Sequence, residues 1–124
     1  MRHVHDADAA RALFAAIAAL PYEMVALAYL DPERRLLGMR HALPGRSAAA
    51  EVPVRLIVGD ALALDAASVV MAHNHPGGDP VPSAADRAVT RRLARALYSV
   101  DVALMDHIVL AHDRSSSFRA MGLL

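Results

Sequence analysis

Two short stretches of this 124-residue chain are apolar at nearly every position: Glu23–Leu30 (EMVALAYL) and Ser68–Ala72 (SVVMA). Short apolar runs that carry valine or tyrosine, bounded by turn residues, suit buried strands better than helices. The segments around them set the rest of the plan. Residues 6–20 place Ala10, Leu13, Phe14, Ile17 and Leu20 at helical spacing, with Asp6 and Asp8 at the N-terminus and Pro21 as the stop. Asp31-Pro32 begins a turn into a returning strand over Arg35–Leu43, and Pro44-Gly45-Arg46-Ser47 is a loop. Val54–Leu64 predicts a helix, although Gly59 weakens it by about 1 kcal/mol relative to alanine. Ser83 is a good N-cap for a helix from Ala84 to about Val100, with Asp86 in its first turn. A strand over Val102–Ala111, a loop at His112–Ser116 and a short strand near Ser117–Met121 complete the order. This succession predicts an α/β chain of the α+β type, a single domain over residues 1–124 with residues 1–20 as an N-terminal helix.

Composition narrows the chemistry. Hydrophobic residues make up 56% of the chain, which excludes the low-hydrophobicity, high-charge class of disordered chains. The 13 basic and 13 acidic residues cancel, so no bulk attraction to nucleic acid or an anionic membrane is expected. There is no cysteine, hence no disulfide, thiolate metal site or cysteine nucleophile. Every basic residue is arginine, which removes lysine Schiff-base and P-loop chemistry. Only Glu23, Glu33 and Glu51 are glutamates, against seven histidines. No apolar run approaches the ~20 residues of a membrane span, and Ala12–Leu20 follows acids rather than a basic leader. A cytoplasmic location is expected.

What remains for chemistry is histidine, aspartate, serine and three glutamates, and the first three of these types fall close together. His73-Asn74-His75 closes the second apolar run, and Ser83 and Asp86 follow across a Pro/Gly-rich loop. Two histidines at i and i+2 share one side if strand geometry persists, so their imidazoles can converge on one cation. Asp86, folded back from the first helical turn, can join them. Two imidazoles and a carboxylate form an N/O site suited to Zn²⁺, with the fourth position left for water. Each part alone has an ordinary reading: a chance HxH pair, a turn, or a capped helix.

The pattern His73-x-His75-x₇-Ser83-x₂-Asp86 resembles the JAMM signature of the JAB/MPN metallopeptidase superfamily. The wording HNHPGGDPVPSAAD is most similar to the RadC-like bacterial branch, which usually carries serine where Gly78 stands. Thr90, Asp106-His107-Ile108, Ser117-Phe118 with Gly122, and Tyr29-Leu30-Asp31 extend the likeness over roughly residues 21–124. Val54-Arg55-Leu56 departs from the branch's Pro-Arg-Glu, and a short helix stands where larger members carry a helix-hairpin-helix region.

The resemblance implies a mixed β-sheet flanked by helices, in a cytidine-deaminase-like JAB/MPN architecture. It implies Zn²⁺ on His73, His75 and Asp86, with Ser83 hydrogen-bonding the oxyanion of a tetrahedral intermediate. It also calls for an upstream glutamate facing the metal-bound water; Pro21-Tyr22-Glu23 fits, and Glu51 competes because it precedes a proline-containing segment. Glu33, in the hairpin turn, suits a solvated role. Asn74 is expected to face away and steady the loop. His107 is a candidate to support a metal ligand from behind, or else a satisfied buried histidine. His3, His5, His41 and His112 read as surface residues.

The implied activity is hydrolysis of an amide bond in a peptide or ubiquitin-like conjugate. The alternatives are a nucleic-acid-associated protein, resting on Arg87, Arg91, Arg92 and Arg95, and a catalytically silent scaffold. Zero net charge weighs against the first and the complete ligand set against the second. Exposed strand edges in so apolar a chain leave a homodimer open.

Overall fold

The two apolar runs lie side by side at the centre of a mixed five-stranded sheet. The computed structural model describes residues 2–42 and 52–124. Its strands are β1 (Val25–Leu30), β2 (Leu36–Ala42), β3 (Ser68–Asn74), β4 (Ala103–Ala111) and β5 (Arg114–Ser117). Their spatial order is β2-β1-β3-β4-β5. β1 is antiparallel to both β2 and β3, β3 runs parallel to β4, and β4 turns back into β5. The parallel β3–β4 pair needs a crossover, which helix α3 (Ala84–Tyr98) supplies. Helices α1 (Ala7–Leu13) and α2 (Val54–Ala63) complete the set.

All six residues of β1 are buried, because each face of the sheet is covered. Val25, Leu27, Tyr29, Val69 and Met71 point to the α2/α3 side, where Ile57, Val89, Leu93 and Leu97 meet them. Ala26, Ala28, Val70, Ala72 and Ile108 point to the other side, under Val4, Ala10, Phe14 and Ile17. The small residues on that second face let a short helix sit close to the sheet.

Several predicted boundaries shift. The first helix does not run from 6 to 20: it ends at Leu13, and a single 3₁₀ turn over Ala15–Ile17 follows. In the tighter turn residues three apart align, so Phe14 and Ile17 both reach the core, at 1% and 3% exposure. The last strand lies at Arg114–Ser117 rather than 117–121; His112 adopts a positive φ of 55° and closes a tight β4–β5 hairpin instead of a long loop. β3 extends past Ala72 through His73 and Asn74. Leu43 and the 44–47 loop fall outside the described residues. Among the described residues, no helix is long and apolar enough to cross a membrane.

Candidate metal centre

Three elements bring His73, His75 and Asp86 together at the C-terminal end of β3. His73 pairs with Val25 on β1 and Val109 on β4, which holds it in the middle of the sheet. His75 lies just beyond the strand, but its N–H still donates to the Leu110 carbonyl at 2.7 Å, so the ladder continues for one more residue. That extension keeps both imidazoles on the α3 side, as the i, i+2 spacing predicts. Asp86 sits on the buried stripe of α3 with Val89, Thr90, Leu93 and Leu97. Its place is set by a reciprocal cap: Ser83 Oγ accepts from the Asp86 N–H at 3.0 Å, and Asp86 Oδ2 accepts from the Ser83 N–H at 2.8 Å.

The ligand atoms converge closely. His73 Nε2 lies 2.8 Å from His75 Nε2 and 3.4 Å from Asp86 Oδ1, and His75 Nε2 lies 3.2 Å from Asp86 Oδ2. A tetrahedral Zn²⁺ site with ligands at ~2.0–2.1 Å has edges of about 3.3 Å, so both imidazole–carboxylate edges fit.

The hydrogen bonds behind the ligands fix which ring nitrogens carry protons. Carbonyl oxygens can only accept. His75 Nδ1 faces the Asp79 carbonyl at 2.8 Å, so Nδ1 holds the proton and the Nε2 of the neutral ring is left with a lone pair. Thr90 donates its hydroxyl proton to the Asp86 carbonyl at 2.7 Å and therefore accepts from His107 Nδ1, also at 2.7 Å. In neutral His107, Nε2 must then accept from His73 Nδ1–H at 2.6 Å. Burial, with the charge of His73 next, pushes the His107 pKa well below its ordinary value and keeps that ring neutral. His73 Nε2 is consequently a lone pair too. In the neutral rings two imidazole lone pairs and a carboxylate meet at one point, an arrangement that a bound cation, or a proton on one Nε2, stabilises.

The carboxylate draws positive charge to this point: burial alone would raise the Asp86 pKa, but His73 and His75 in their protonated forms and the Ser83 N–H hold it far below the usual range. The same Asp86 contact raises His75 against the opposing effect of burial.

Glu23 precedes β1, which starts at Val25 rather than at Glu23. It lines a small cleft with His73, Asp86 and His107 over Val25, Met71 and Val89. Its Oε2 is buried and, among the described residues, has no hydrogen-bond partner. Its competitor Glu51 lies outside the described residues. Ser83 is exposed, and its hydroxyl proton is uncommitted among the described residues while its oxygen serves the cap. His107 is 2% exposed, with His73 and Thr90 as its hydrogen-bond partners.

Other expectations resolve simply. Arg87, Arg91, Arg92 and Arg95 lie on the exposed face of α3, and His3, His5, His41 and His112 are exposed. Asn74 faces the α1 side, yet it does more than steady a loop: its amide binds three backbone groups of residues 20–24. Thr90 was visible only as part of the resemblance. An oxygen-bearing residue inside an otherwise apolar helix stripe was the available signal for it.

The family model for the RadC-like JAB domain matches residues 4–123. A UPF0758 protein of Bordetella avium is 40% identical over 120 residues, covering 97% of this chain and 53% of its own length. A UPF0758 protein of Xanthomonas campestris is 45% identical over 101 residues, covering 82% of this chain and 45% of its own. One from Vibrio cholerae is 42% identical over 108 residues, with 87% and 68% covered. The chain thus spans about half the length of most of these relatives. With the match running through sheet, histidine pair and α3, the chain belongs to the RadC-like JAB domain family.

Proposed function

We propose that this chain is a zinc-dependent hydrolase of amide bonds, acting on a peptide or on a conjugate of a ubiquitin-like protein. The observation that carries the reading is the pair of Nε2 lone pairs 2.8 Å apart beside the Asp86 carboxylate, with both Nδ1 protons committed elsewhere. The Glu23 Oε2 in the same cleft supports it: buried and without a partner among the described residues, it is placed to face a group bound at the site. A Zn²⁺ held by His73, His75 and Asp86 would supply a Lewis acid and would lower the pKa of a coordinated water to about 7.

The protein's own groups do the rest. Glu23 Oε2 takes the proton of the attacking water and passes it to the leaving nitrogen as that bond breaks. Ser83 Oγ, accepting from Asp86 N–H, keeps its own proton free to donate to the carbonyl oxygen as negative charge develops. Asp79 and His107 hold the two imidazoles in the ligating tautomer throughout.

Metal analysis tests the reading directly. Purified protein is expected to carry about one zinc per chain, lost in His73→Ala and in Asp86→Ala. A wild-type protein that carries no transition metal and takes up none on addition of Zn²⁺ ends it.

A further inference from the structure

The Oε2 of Glu23 has no hydrogen-bond partner among the described residues, which turns attention to the main chain that carries it. The β1–β3 ladder does not reach it. The last ladder pair is Val25 with His73, and the chain beyond His75 leaves the sheet for the Pro/Gly-rich loop. Pro21 has no N–H to offer, and Tyr22 is 50% exposed. Among the described residues, the sheet ladders leave residues 20–24 beyond their end.

Asn74 fills that place. It is fully buried, at 0% exposure, and points to the face opposite the metal ligands on either side of it. Its Oδ1 accepts from the Met24 N–H at 2.6 Å; its Nδ2 donates to the Tyr22 carbonyl at 2.8 Å and the Leu20 carbonyl at 3.3 Å. The Tyr22 carbonyl belongs to the peptide group entering Glu23, and the Met24 N–H to the one leaving it. One primary amide thus grips both peptide groups around Glu23, donating to one and accepting from the other as a neighbouring strand's backbone would.

We propose that Asn74 is a positioning residue for Glu23: its side-chain amide substitutes for the missing strand and aims that carboxylate into the cleft lined by His73 and Asp86. This rests on the metallohydrolase reading, in which Glu23 moves the proton. It also joins the two halves of the site, since the residue between the ligands His73 and His75 holds the base.

Two variants and two readouts test it. Asn74→Ala removes all three bonds. The near-isosteric Asn74→Leu fills the same space with neither donor nor acceptor, and serves should the alanine variant not fold. In both, the Met24 amide should exchange with solvent at least about tenfold faster relative to the Leu27 amide, which lies deep in the same strand and reports global opening. With Co²⁺ replacing Zn²⁺, both variants should bind one equivalent and show the altered visible band of Glu23→Gln. The double variant with Glu23→Gln should add nothing to that change. Val70→Ala, chosen to lower the unfolding midpoint, should keep the wild-type band.

Wild-type Met24 protection in the Asn74 variants overturns the proposal, and so does a spectral change that adds to that of Glu23→Gln. A wild-type protein that binds no Co²⁺ defeats the metallohydrolase reading instead. The Met24 exchange ratio then still decides whether Asn74 holds this segment.

Discussion

At the scale of single residues, the site depends on groups that touch none of the converging ligand atoms directly but decide where protons sit. Thr90 is the clearest. Its hydroxyl spends its proton on the Asp86 carbonyl, and that choice forces the protonation of His107 and then of His73. Thr90→Val keeps the shape and leaves His107 Nδ1–H without an acceptor, at a cost of about 1–3 kcal/mol. The histidine can then reverse its tautomer and present N–H to His73. Zinc affinity should fall roughly 10–100-fold, the usual range for losing a partner behind a ligand, with Thr90→Ser restoring most of it. Competition against a chromophoric chelator measures this, and unchanged affinity in Thr90→Val removes the relay from the account. The ligands themselves were legible in the sequence because HxH, the Ser83 cap and Asp86 lie within fourteen consecutive residues. The partners of those ligands were not. His107 reaches His73 across two strands, and Asn74 reaches back some fifty positions to Met24.

At the scale of elements, sheet register explains why. The β3–β4 ladder shifts after Val69–Leu104, so that Val70 pairs with Asp106 and Met105 is the extra residue. A one-residue bulge inverts every later side chain. Leu104 and His107 would lie on opposite faces of a regular strand; the bulge puts both on the α3 side, where His107 meets His73. Alternation read along the sequence alone therefore misplaces it. α3 was easier, because Val89, Leu93 and Leu97 keep strict helical spacing and Ser83 marks the start. α2 is tied to the sheet by Asp60, which accepts from Tyr29 Oη at 2.8 Å and from Arg40 at 2.5 and 2.9 Å. The hydrogen bond from Arg40 holds the Asp60 pKa below its ordinary value against a smaller opposing effect of burial. A carboxylate whose pKa is lower folded than unfolded contributes stability above the unfolded value, near 4, and loses it as pH falls through the folded one. Asp60→Asn should therefore lower the urea midpoint most at neutral pH, with the gap to wild type closing below about pH 4. Tyr29→Phe should cost about 1 kcal/mol. A gap for Asp60→Asn that widens in acid contradicts this assignment.

For the whole molecule, the His73-His75-Asp86 cluster is a tertiary object. His73 and His75 come from one strand end and Asp86 from a helix that crosses the sheet, while two separate apolar layers fix their distance. The unfolded chain has no thiolates to offer a competing site, since it contains no cysteine. An ion bound at these three residues thus favours the folded state almost exclusively, and its binding energy becomes stability. At free Zn²⁺ a hundredfold above Kd the gain is about 2.7 kcal/mol, and for a domain of this size each kcal/mol moves Tm by roughly 3–6 °C. Thermal unfolding should shift upward by several degrees on adding Zn²⁺ and return with a chelator. His73→Ala and Asp86→Ala should show no such shift, whereas replacing the exposed Arg91 and Arg95 should leave it intact. A zinc-induced shift that survives in His73→Ala would place the ion elsewhere in the fold, because that variant leaves only His75 and Asp86 of the three converging groups.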